Sequence, residues 1–413
     1  MRRWKYGRVG SGWQVEVTGL LLETLPLVDR GRLITRHVLA SVLVWSSAVR
    51  GTLSSACRRT GIGVSDETLR QAIVASLPPV DHLPRLLESS LWSCQSRLRR
   101  ARRRRGFDIA IDLRHQPCYG MPQTGLFAGQ PKLGTKLFWS TATAAIVHHG
   151  ERLTLAIVPV TRNRMDEVLD ALWSQLGKLR VKVRRLLLDR GFYGAEVVTW
   201  MQKHRVSFLM PMIRRGHQST KRSPGTGTAP FFVRGRRGLT TYTWQQRRRD
   251  RHKVSVDVAI VPHPDRRRRP LVFAYSGRLP HGSYCRWLYK KRFGIETTYR
   301  QARQSRAWTT SRDPRWRRLL IVLSFMLRNV WVLTESNAPA IPRSQRQTYP
   351  HFLQLLAEAI QDEWPQPPRG PPVPNHTNFG STDSCLCRSA IDSQSAQIKL
   401  SVFRNERKWM DPG

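Results

Sequence analysis

The chain has 413 residues, enough for two or three domains with a real core. Its 70 basic and 28 acidic residues give a formal net charge of +42, so the expected partner is a polyanion. Arginine supplies 58 of the basic residues. GC-rich codons alone can raise arginine content, but arginine also binds phosphate in a bidentate fork. The six cysteines have no paired CxxC spacing, which argues against a disulfide framework or a zinc site.

The sequence predicts no membrane span. The most apolar run, residues 319–333, is broken by Arg328 and Asn329 and is shorter than the roughly 18 residues that a span needs. The first residues lack the apolar segment of a signal peptide. We therefore expect a cytoplasmic protein.

Residues 1–105 are predicted to form an all-helical N-terminal region. Within it, a short helix over 51–60, a turn at Gly61-Ile62-Gly63 and a second helix from an N-cap at Ser65 match a helix-turn-helix pattern. Such a pair either docks on DNA or simply packs in a helical bundle. The arginine run that ends the region is either a solvated linker or an arm along phosphates.

Residues 106–212 are predicted to alternate strands and helices in an α/β catalytic core. We expect strands at 107–112, 137–147 and 153–160, a helix at 163–179, a strand at 183–189, a helix at 195–204 and a strand at 207–212. A Gly- and Pro-rich loop should fill the chain up to about residue 134, and a hairpin turn should lie at His149-Gly150-Glu151.

The rest of the chain divides into three predicted segments. Residues 213–282 form a small, β-rich, basic insertion, and residues 283–335 return to helix. Residues 336–413 form a C-terminal extension with one further helix near 352–360 and a largely disordered tail.

Three acids occupy equivalent places in this pattern. Asp112 and Asp189 end predicted neighbouring strands, and Glu296 lies on a helix that returns to the same sheet. The carboxyl ends of strands are where sites form in α/β sheets. Three carboxylates meeting there have the oxygen ligands that divalent metal ions use in phosphodiester chemistry.

Each acid also has a structural interpretation. Asp189 can cap the turn that follows it, and Glu296 can be a surface acid in a salt-bridge ladder. Asp108 shares a strand face with Asp112 and competes with it. Asp112 is favoured because it closes the strand.

The residues around these acids resemble a known family. The chain is similar to DDE transposases of prokaryotic insertion sequences, in the group whose third acid lies in a Tyr-x2-Arg-x3-Glu-x6-Lys signature. That signature here reads Tyr289, Arg292, Glu296 and Arg303, with arginine where the family has lysine. The run Leu-Leu-Leu-Asp-Arg-Gly-Phe-Tyr at 186–193 resembles the second acid's surroundings, and the match around Asp112 is looser.

The resemblance implies an RNase H-like catalytic domain with a β-rich insertion before the third acid. It implies that Asp112, Asp189 and Glu296 bind two Mg²⁺ ions, which Mn²⁺ can replace. It implies that Tyr289, Arg292 and Arg303 contact DNA. Arg190 and Lys136 are further candidates for DNA contacts, although the loop that contains Lys136 can equally well be solvated. The partners would be double-stranded DNA, as terminal inverted repeats and target DNA, and a second copy of the chain in a synaptic homodimer. The reaction would free a 3′-OH at each element end and join it to target DNA.

Other residues and functions remain open. His115, His148 and His149 lie near the predicted site without ligand spacing, and Trp308 and Trp316 either stack on bases or pack against the Glu296 helix. Lys132 lies in a loop that is either solvated or bound to DNA. A non-catalytic DNA-binding protein is the alternative function. An RNA-binding protein fits less well, since it leaves the three acids unexplained.

Overall fold

The computed structural model describes residues 9–91, 106–147, 152–220, 223–245, 253–265, 267–278, 281–337 and 346–364. The predicted hairpin turn at residues 149–151 and the tail from residue 365 lie outside these ranges.

The described residues form an alternation of helices and strands. The helices are α1 (Val9–Thr24), α2 (Arg36–Ala48), α3 (Leu53–Thr60), α4 (Asp66–Ala75), α5 (Arg85–Ser89), α6 (Met165–Lys178), α7 (Ala195–Lys203), α8 (Gly282–Arg292), α9 (Gly294–Gln304), α10 (Pro314–Asn337) and α11 (Tyr349–Glu363). The strands are β1 (Phe107–Pro117), β2 (Phe127–Lys132), β3 (Thr135–Ile146), β4 (Thr154–Val160), β5 (Val183–Leu188), β6 (Phe208–Pro211), β7 (Gly238–Gln245), β8 (Lys253–Val261) and β9 (Leu271–Tyr275).

The strands of the described residues join in one mixed sheet of order β2-β3-β1-β5-β6-β9-β8-β7, with β4 also paired to β3. Strand β1 is antiparallel to β3 and parallel to β5, which is parallel to β6. Alternate residues of β5 enter opposite cores, because Leu186 and Leu188 pack on one face and Leu187 on the other. The order β4-β3-β1-β5-β6 confirms the RNase H-like fold that the resemblance implied.

Strand β2 was not predicted, because its Gly129 and Pro131 are typical of loops. It pairs with β3 through the two-residue turn Leu133-Gly134, where φ is +54° and +78°. Positive φ at both turn residues is the geometry that suits a tight hairpin. An edge strand tolerates the proline, since one side of its backbone needs no partner.

The sequence suggested a small, separate β-rich insertion. In the structure, the strands of this segment extend the main sheet. Its last strand, β9, pairs antiparallel with β6, and β8 and β7 follow outward. Period-2 patterns identify strands but carry no information on which strand they pair with.

The predicted helix pair of the N-terminal region is confirmed as local structure. Helix α3 ends at Gly61 in the left-handed conformation, and α4 starts after Ser65, whose hydroxyl accepts a hydrogen bond from the Thr68 N–H at 3.1 Å. Both helices pack with α1, α2, α10 and α11 in one apolar core. The N-terminal helices and the residues after Thr348 therefore share a core.

Helix α10 is longer than the predicted apolar run. By length and composition its segment Pro314–Ser336 can cross a membrane, but 78% of its most apolar window is buried inside the protein, as in a core helix. Its polar residues have partners: Arg328 donates to Gln301 Oε1 at 3.1 Å and to the Arg152 carbonyl. The sequence underestimated the length of this helix, because α10 begins at Pro314, before the apolar run of residues 319–333.

Side-chain amides close the outer edge of β4. Asn329 Oδ1 accepts from the Thr154 N–H at 3.0 Å, and Asn329 Nδ2 donates to the Thr154 carbonyl at 2.8 Å. Gln175 makes the same two bonds with Ile157, at 3.0 and 3.1 Å. These amides imitate a neighbouring strand at an edge that otherwise has unpaired backbone groups.

Replacing Asn329 with Leu is expected to lower the free energy of unfolding by about 3 kcal/mol, since it leaves a buried N–H and a buried carbonyl without partners. Urea unfolding followed by circular dichroism measures this. Gln175→Leu is the matched control and should cost about 1 kcal/mol, because its bonds are only partly buried. Equal losses for the two variants would contradict the argument.

Candidate functional site: three carboxylates around one arginine

Asp112 and Asp189 lie side by side at the end of the β1–β5 ladder. The parallel register pairs Ile111 with Leu188, and each aspartate is the next residue of its strand or turn. Strand β1 does not stop at Asp112, as the sequence suggested, but continues to Pro117 as the partner of β3. The parallel ladder is what ends here, so the two carboxylates still meet at one edge.

Asp108, the competing acid, already has a counter-ion. It is 4% exposed and accepts two hydrogen bonds from Arg184, one of them from Nε at 2.8 Å. A bidentate pair of this kind satisfies the carboxylate. The structure therefore gives Asp108 a structural role, four residues before Asp112 on β1.

Glu296 lies in the first turn of α9, just past a break in the predicted helix. Helix α8 ends at Arg292, and α9 begins at Gly294, where a Cβ would come within 3.1 Å of Arg152 Nε. The Glu296 N–H donates to the Phe293 carbonyl at 3.2 Å, a tighter turn than an α-helix makes. The break leaves Glu296 half exposed and beside Arg292.

Arg292 is the centre of the group. Its guanidinium lies 3.4 Å from Asp112 Oδ1, 3.4 Å from Asp189 Oδ1 and 3.8 Å from Glu296 Oε1. The arginine side chain is 7% exposed, whereas those of Asp189 and Glu296 are 38% and 54% exposed. The three acids that the sequence selected are thus gathered around one buried cation, and the phosphate contact expected of Arg292 stays a prediction.

The group has an excess of negative charge. Three carboxylates share one guanidinium, and burial raises the pKa of Asp112 to about 6, with Asp189 and Glu296 adding to the rise and Arg292 opposing it. Arg292 Nε and Nη1 are buried without a hydrogen-bond partner. The ion-pair distances exceed ordinary hydrogen bonds, so the arginine neutralises the acids by proximity alone.

The donor set fits a divalent metal ion in charge and chemistry. Carboxylate oxygens are the ligands of Mg²⁺ and Mn²⁺, and the group has more negative than positive charges. The spacing is different: among the described residues no three His, Cys, Asp or Glu side chains are close enough to share an ion. In this structure Arg292 lies where the carboxylates converge, so metal binding requires the guanidinium and the acids to rearrange.

Tyr289 lies against the same group, and Arg303 does not. The Arg292 guanidinium carbon is 5.3 Å from the centre of the Tyr289 ring, and burial raises the pKa of the Tyr289 hydroxyl. Arg303 is exposed in the last turn of α9 and belongs to a separate cluster with Arg114 and Arg306. The residues of the signature therefore fall into two separate groups.

Two residues that sequence reasoning did not assign to the site connect its parts. The partly buried Tyr299 hydroxyl donates to the Asp112 carbonyl at 3.1 Å and bonds Thr143 Oγ1 at 2.7 Å. Thr143 is the register partner of Asp112 on β3. Tyr299 is on α9, so this contact fixes the Glu296 helix to the Asp112 strand. The sequence does not show the register between β1 and β3, which is needed to place Thr143 opposite Asp112.

The remaining predicted residues are spread around the site. Arg190 is exposed directly after Asp189. Lys136 is exposed at the start of β3, seven residues before Thr143, or about 23 Å along the strand. His115 bonds Ser140 Oγ at 2.6 Å. Trp316 is buried, as packing requires, whereas Trp308 is 58% exposed. His148 and His149 lie outside the described residues, and Lys132 is exposed at the end of β2.

An α/β sheet with three carboxylates at one edge defines a class of proteins with metal-assisted phosphodiester chemistry, and the family comparison agrees. Residues 123–330, about half of the chain, match the family described as the transposase DDE domain. The chain belongs to the DDE transposase family, which acts in transposition and DNA recombination. The matched segment contains Asp189 and Glu296, and Asp112 lies shortly before it.

Among solved structures, the cryo-EM synaptic complex of the piggyBac transposase with hairpin DNA is similar at 10% identity. The similarity covers 85% of this chain and 77% of that chain, with a TM-score of 0.49. These values are too low to transfer any property of that complex. No curated protein matches the chain.

Arg292→Gln is expected to lower the free energy of unfolding by about 2 kcal/mol in metal-free buffer, since it leaves three carboxylates without their cation and two of them are partly exposed. Millimolar Mg²⁺ should restore more stability to this variant than to the unmodified protein, because the divalent ion takes the place of the guanidinium charge. Thermal unfolding with and without Mg²⁺ measures both effects.

Arg184→Gln is the matched control, as it removes the cation of the single carboxylate Asp108. It should lose stability in both buffers without recovery by Mg²⁺. The charge argument fails if Mg²⁺ restores the two variants equally or restores neither.

Proposed function

We propose that this protein is the DNA transposase of a prokaryotic insertion sequence. It binds the terminal inverted repeats of its element, cleaves the ends by metal-dependent phosphodiester hydrolysis, and joins the freed 3′-OH ends to target DNA. The observation that carries this proposal is the convergence of Asp112, Asp189 and Glu296 on Arg292, at the end of the central parallel ladder of a DDE-family chain.

In this proposal Asp112, Asp189 and Glu296 hold two Mg²⁺ ions, for which Mn²⁺ can substitute. When bound, the ions activate the attacking oxygen and stabilise the leaving oxygen of an in-line displacement. The acids supply the negative charge that holds the ions. Their support is the uncompensated charge of the group and the position of Asp112, whose pKa is raised to about 6 by burial and further by Asp189 and Glu296.

The basic residues bind the DNA phosphates beside the acids. With metal bound to the acids, Arg292 would no longer be needed as their cation and would, with Tyr289, contact the phosphate next to the scissile bond. Its Nε and Nη1 make no hydrogen bond in the metal-free protein, so both could donate to a phosphate once the ion pair with Asp112 opens. Arg190, exposed after Asp189, and Lys136 contact the backbone farther away. Arg303 takes the place of the family's lysine, with a planar fork in place of a point charge.

The helix pair α3–α4 binds duplex DNA in this proposal. Its turn at Gly61 and capped second helix have the helix-turn-helix form, and the net charge of +42 favours a polyanion. Two copies of the chain act together on two element ends as a synaptic homodimer. The protein works in the cytoplasm, where the element's DNA is.

Asp189→Ala is expected to abolish Mg²⁺-dependent cleavage of a duplex that carries the element's own end, while its affinity for that duplex stays within about threefold of the original. The substitution removes an oxygen ligand from a partly exposed site but no DNA-binding cation. Gel assays of strand cleavage and of binding, with the end sequence read from the DNA that flanks the gene, measure the two effects.

Asp257→Ala is the matched control, because Asp257 is an exposed aspartate on β8. It should leave cleavage unchanged. Cleavage by Asp189→Ala would contradict the assignment of the acids. Binding without any cleavage by the unmodified protein would instead identify a DNA-binding protein that occupies element ends. Inverted repeats bracketed by a short direct duplication around the gene are the expected genomic signature.

A further inference from the structure

A pocket at the junction of the N-terminal helices and the sheet is lined by arginines. It measures about 80 Å³, and its charged walls are Arg50 from the end of α2, Arg306 from the loop after α9, and Arg317 from α10. Gln116 of β1, Trp308 and Thr309 complete the polar lining. The pocket lies outside the three-carboxylate group.

Positive charge in this pocket is not balanced by acids. The strongest influences on Arg306 are burial and four other arginines, which together lower its pKa to about 10: Arg114, Arg303, Arg50 and Arg317. Its side chain donates to the neutral amide oxygen of Gln116 at 2.9 Å. Keeping like charges together in a partly buried place costs free energy in the isolated protein, and an anion at the same place removes that cost.

The arginines are held in position before any ligand arrives. The Arg50 guanidinium carbon lies 4.9 Å from the centre of the Trp308 ring, and the backbone N–H of Trp308 donates to the Gly51 carbonyl at 2.9 Å. Arg317 Nε donates to the Ser311 carbonyl at 2.6 Å. Fixed guanidiniums lose little conformational entropy on binding, which favours a tightly bound anion.

The pocket is reached from the carboxylates along one face of β1. Asp112, Arg114 and Gln116 alternate along the strand and so share a face. From Asp112 to Gln116 the strand advances about 13 Å. Measured along the helix axis of B-form DNA, one strand carries about four phosphates over this length, so the estimate applies to DNA whose axis runs parallel to β1. Arg303 and Arg306 follow the same direction on and after α9.

We propose that this pocket binds a backbone phosphate of duplex DNA about four nucleotides from the cleaved bond. This inference rests on the proposed function, since it takes the carboxylates as the cleavage site. Arg50 belongs to the N-terminal helices, whereas Arg306 and Arg317 belong to the catalytic region. One phosphate therefore ties both regions to the same stretch of DNA.

The test measures binding of a fluorescein-labelled duplex of the element's end by fluorescence anisotropy at several salt concentrations. Arg306→Gln is expected to weaken binding about tenfold and to reduce the slope of log affinity against log salt by about one. Trp308→Ala should weaken binding about threefold with an unchanged slope, because Arg50 keeps its charge but loses its support. The melting temperature of free Arg306→Gln should stay the same or rise.

Two matched controls separate the pocket from general charge. Arg164→Gln removes an exposed arginine already paired with Asp166 and Glu167, and Trp287→Ala removes a second exposed tryptophan that carries a cation on its ring. Both should bind DNA as the unmodified protein does. Equal losses for Arg306→Gln and Arg164→Gln would overturn the proposal, as would a lower melting temperature of Arg306→Gln with unchanged DNA affinity.

Two further measurements identify the ligand of the pocket. Replacing the phosphate at the expected distance by an uncharged methylphosphonate should weaken binding by the unmodified protein and not by Arg306→Gln. Stabilisation by inorganic phosphate alone, lost in Arg306→Gln while DNA affinity is kept, would assign the pocket to a free phosphate and overturn the proposal. If the unmodified protein binds no DNA, the proposed function fails; if it binds and the variants match it, only this inference fails.

Discussion

The ion pairs of Arg292 with Asp112, Asp189 and Glu296 hold the candidate site together. The three acids come from β1, from the turn after β5 and from α9, and the guanidinium is the cation they share. Bringing three carboxylates together without a cation is costly, because their negative charges repel one another. The arginine therefore allows the acids to be positioned in the metal-free protein.

The same arrangement sets a condition on catalysis. In the proposed function, the buried guanidinium at the point where the carboxylates converge would have to move away for a divalent ion to bind there. Its escape is made easier by long ion-pair distances and by two N–H groups without hydrogen-bond partners. The break between α8 and α9 lies directly after Arg292, and its turn at Phe293 and Gly294 is where the backbone can adjust to move the arginine. In the proposed function, metal binding by the acids and phosphate binding by Arg292 would then be linked.

Much of the fold was readable in the sequence, because its strands and helices have clear periods. Apart from β2, the order of elements from β1 to β6 was predicted, as were the paired helices around Gly61 and the meeting of the three acids. The strand β2, the pairing of β9 with β6 and the break at Phe293 were not. Each of these depends on contacts between distant residues, such as Arg152 against Gly294, which local patterns do not contain.

Charge is distributed in the molecule as two opposed, locally unbalanced clusters. The carboxylates around Arg292 have too few cations, and the arginines around Arg306 have no acid among their strongest neighbours. Neither imbalance stabilises the isolated chain, since unpaired buried charge costs free energy. Tyr299 lies between the two clusters: its hydroxyl bonds the Asp112 carbonyl, and Arg114 stacks 5.6 Å from its ring. In the proposed function, divalent ions would offset the negative charge of the acids and a DNA phosphate would offset the positive charge of the arginines, and α9 connects the two groups. The free energy that each imbalance costs in the isolated chain would then favour binding of the corresponding ligand.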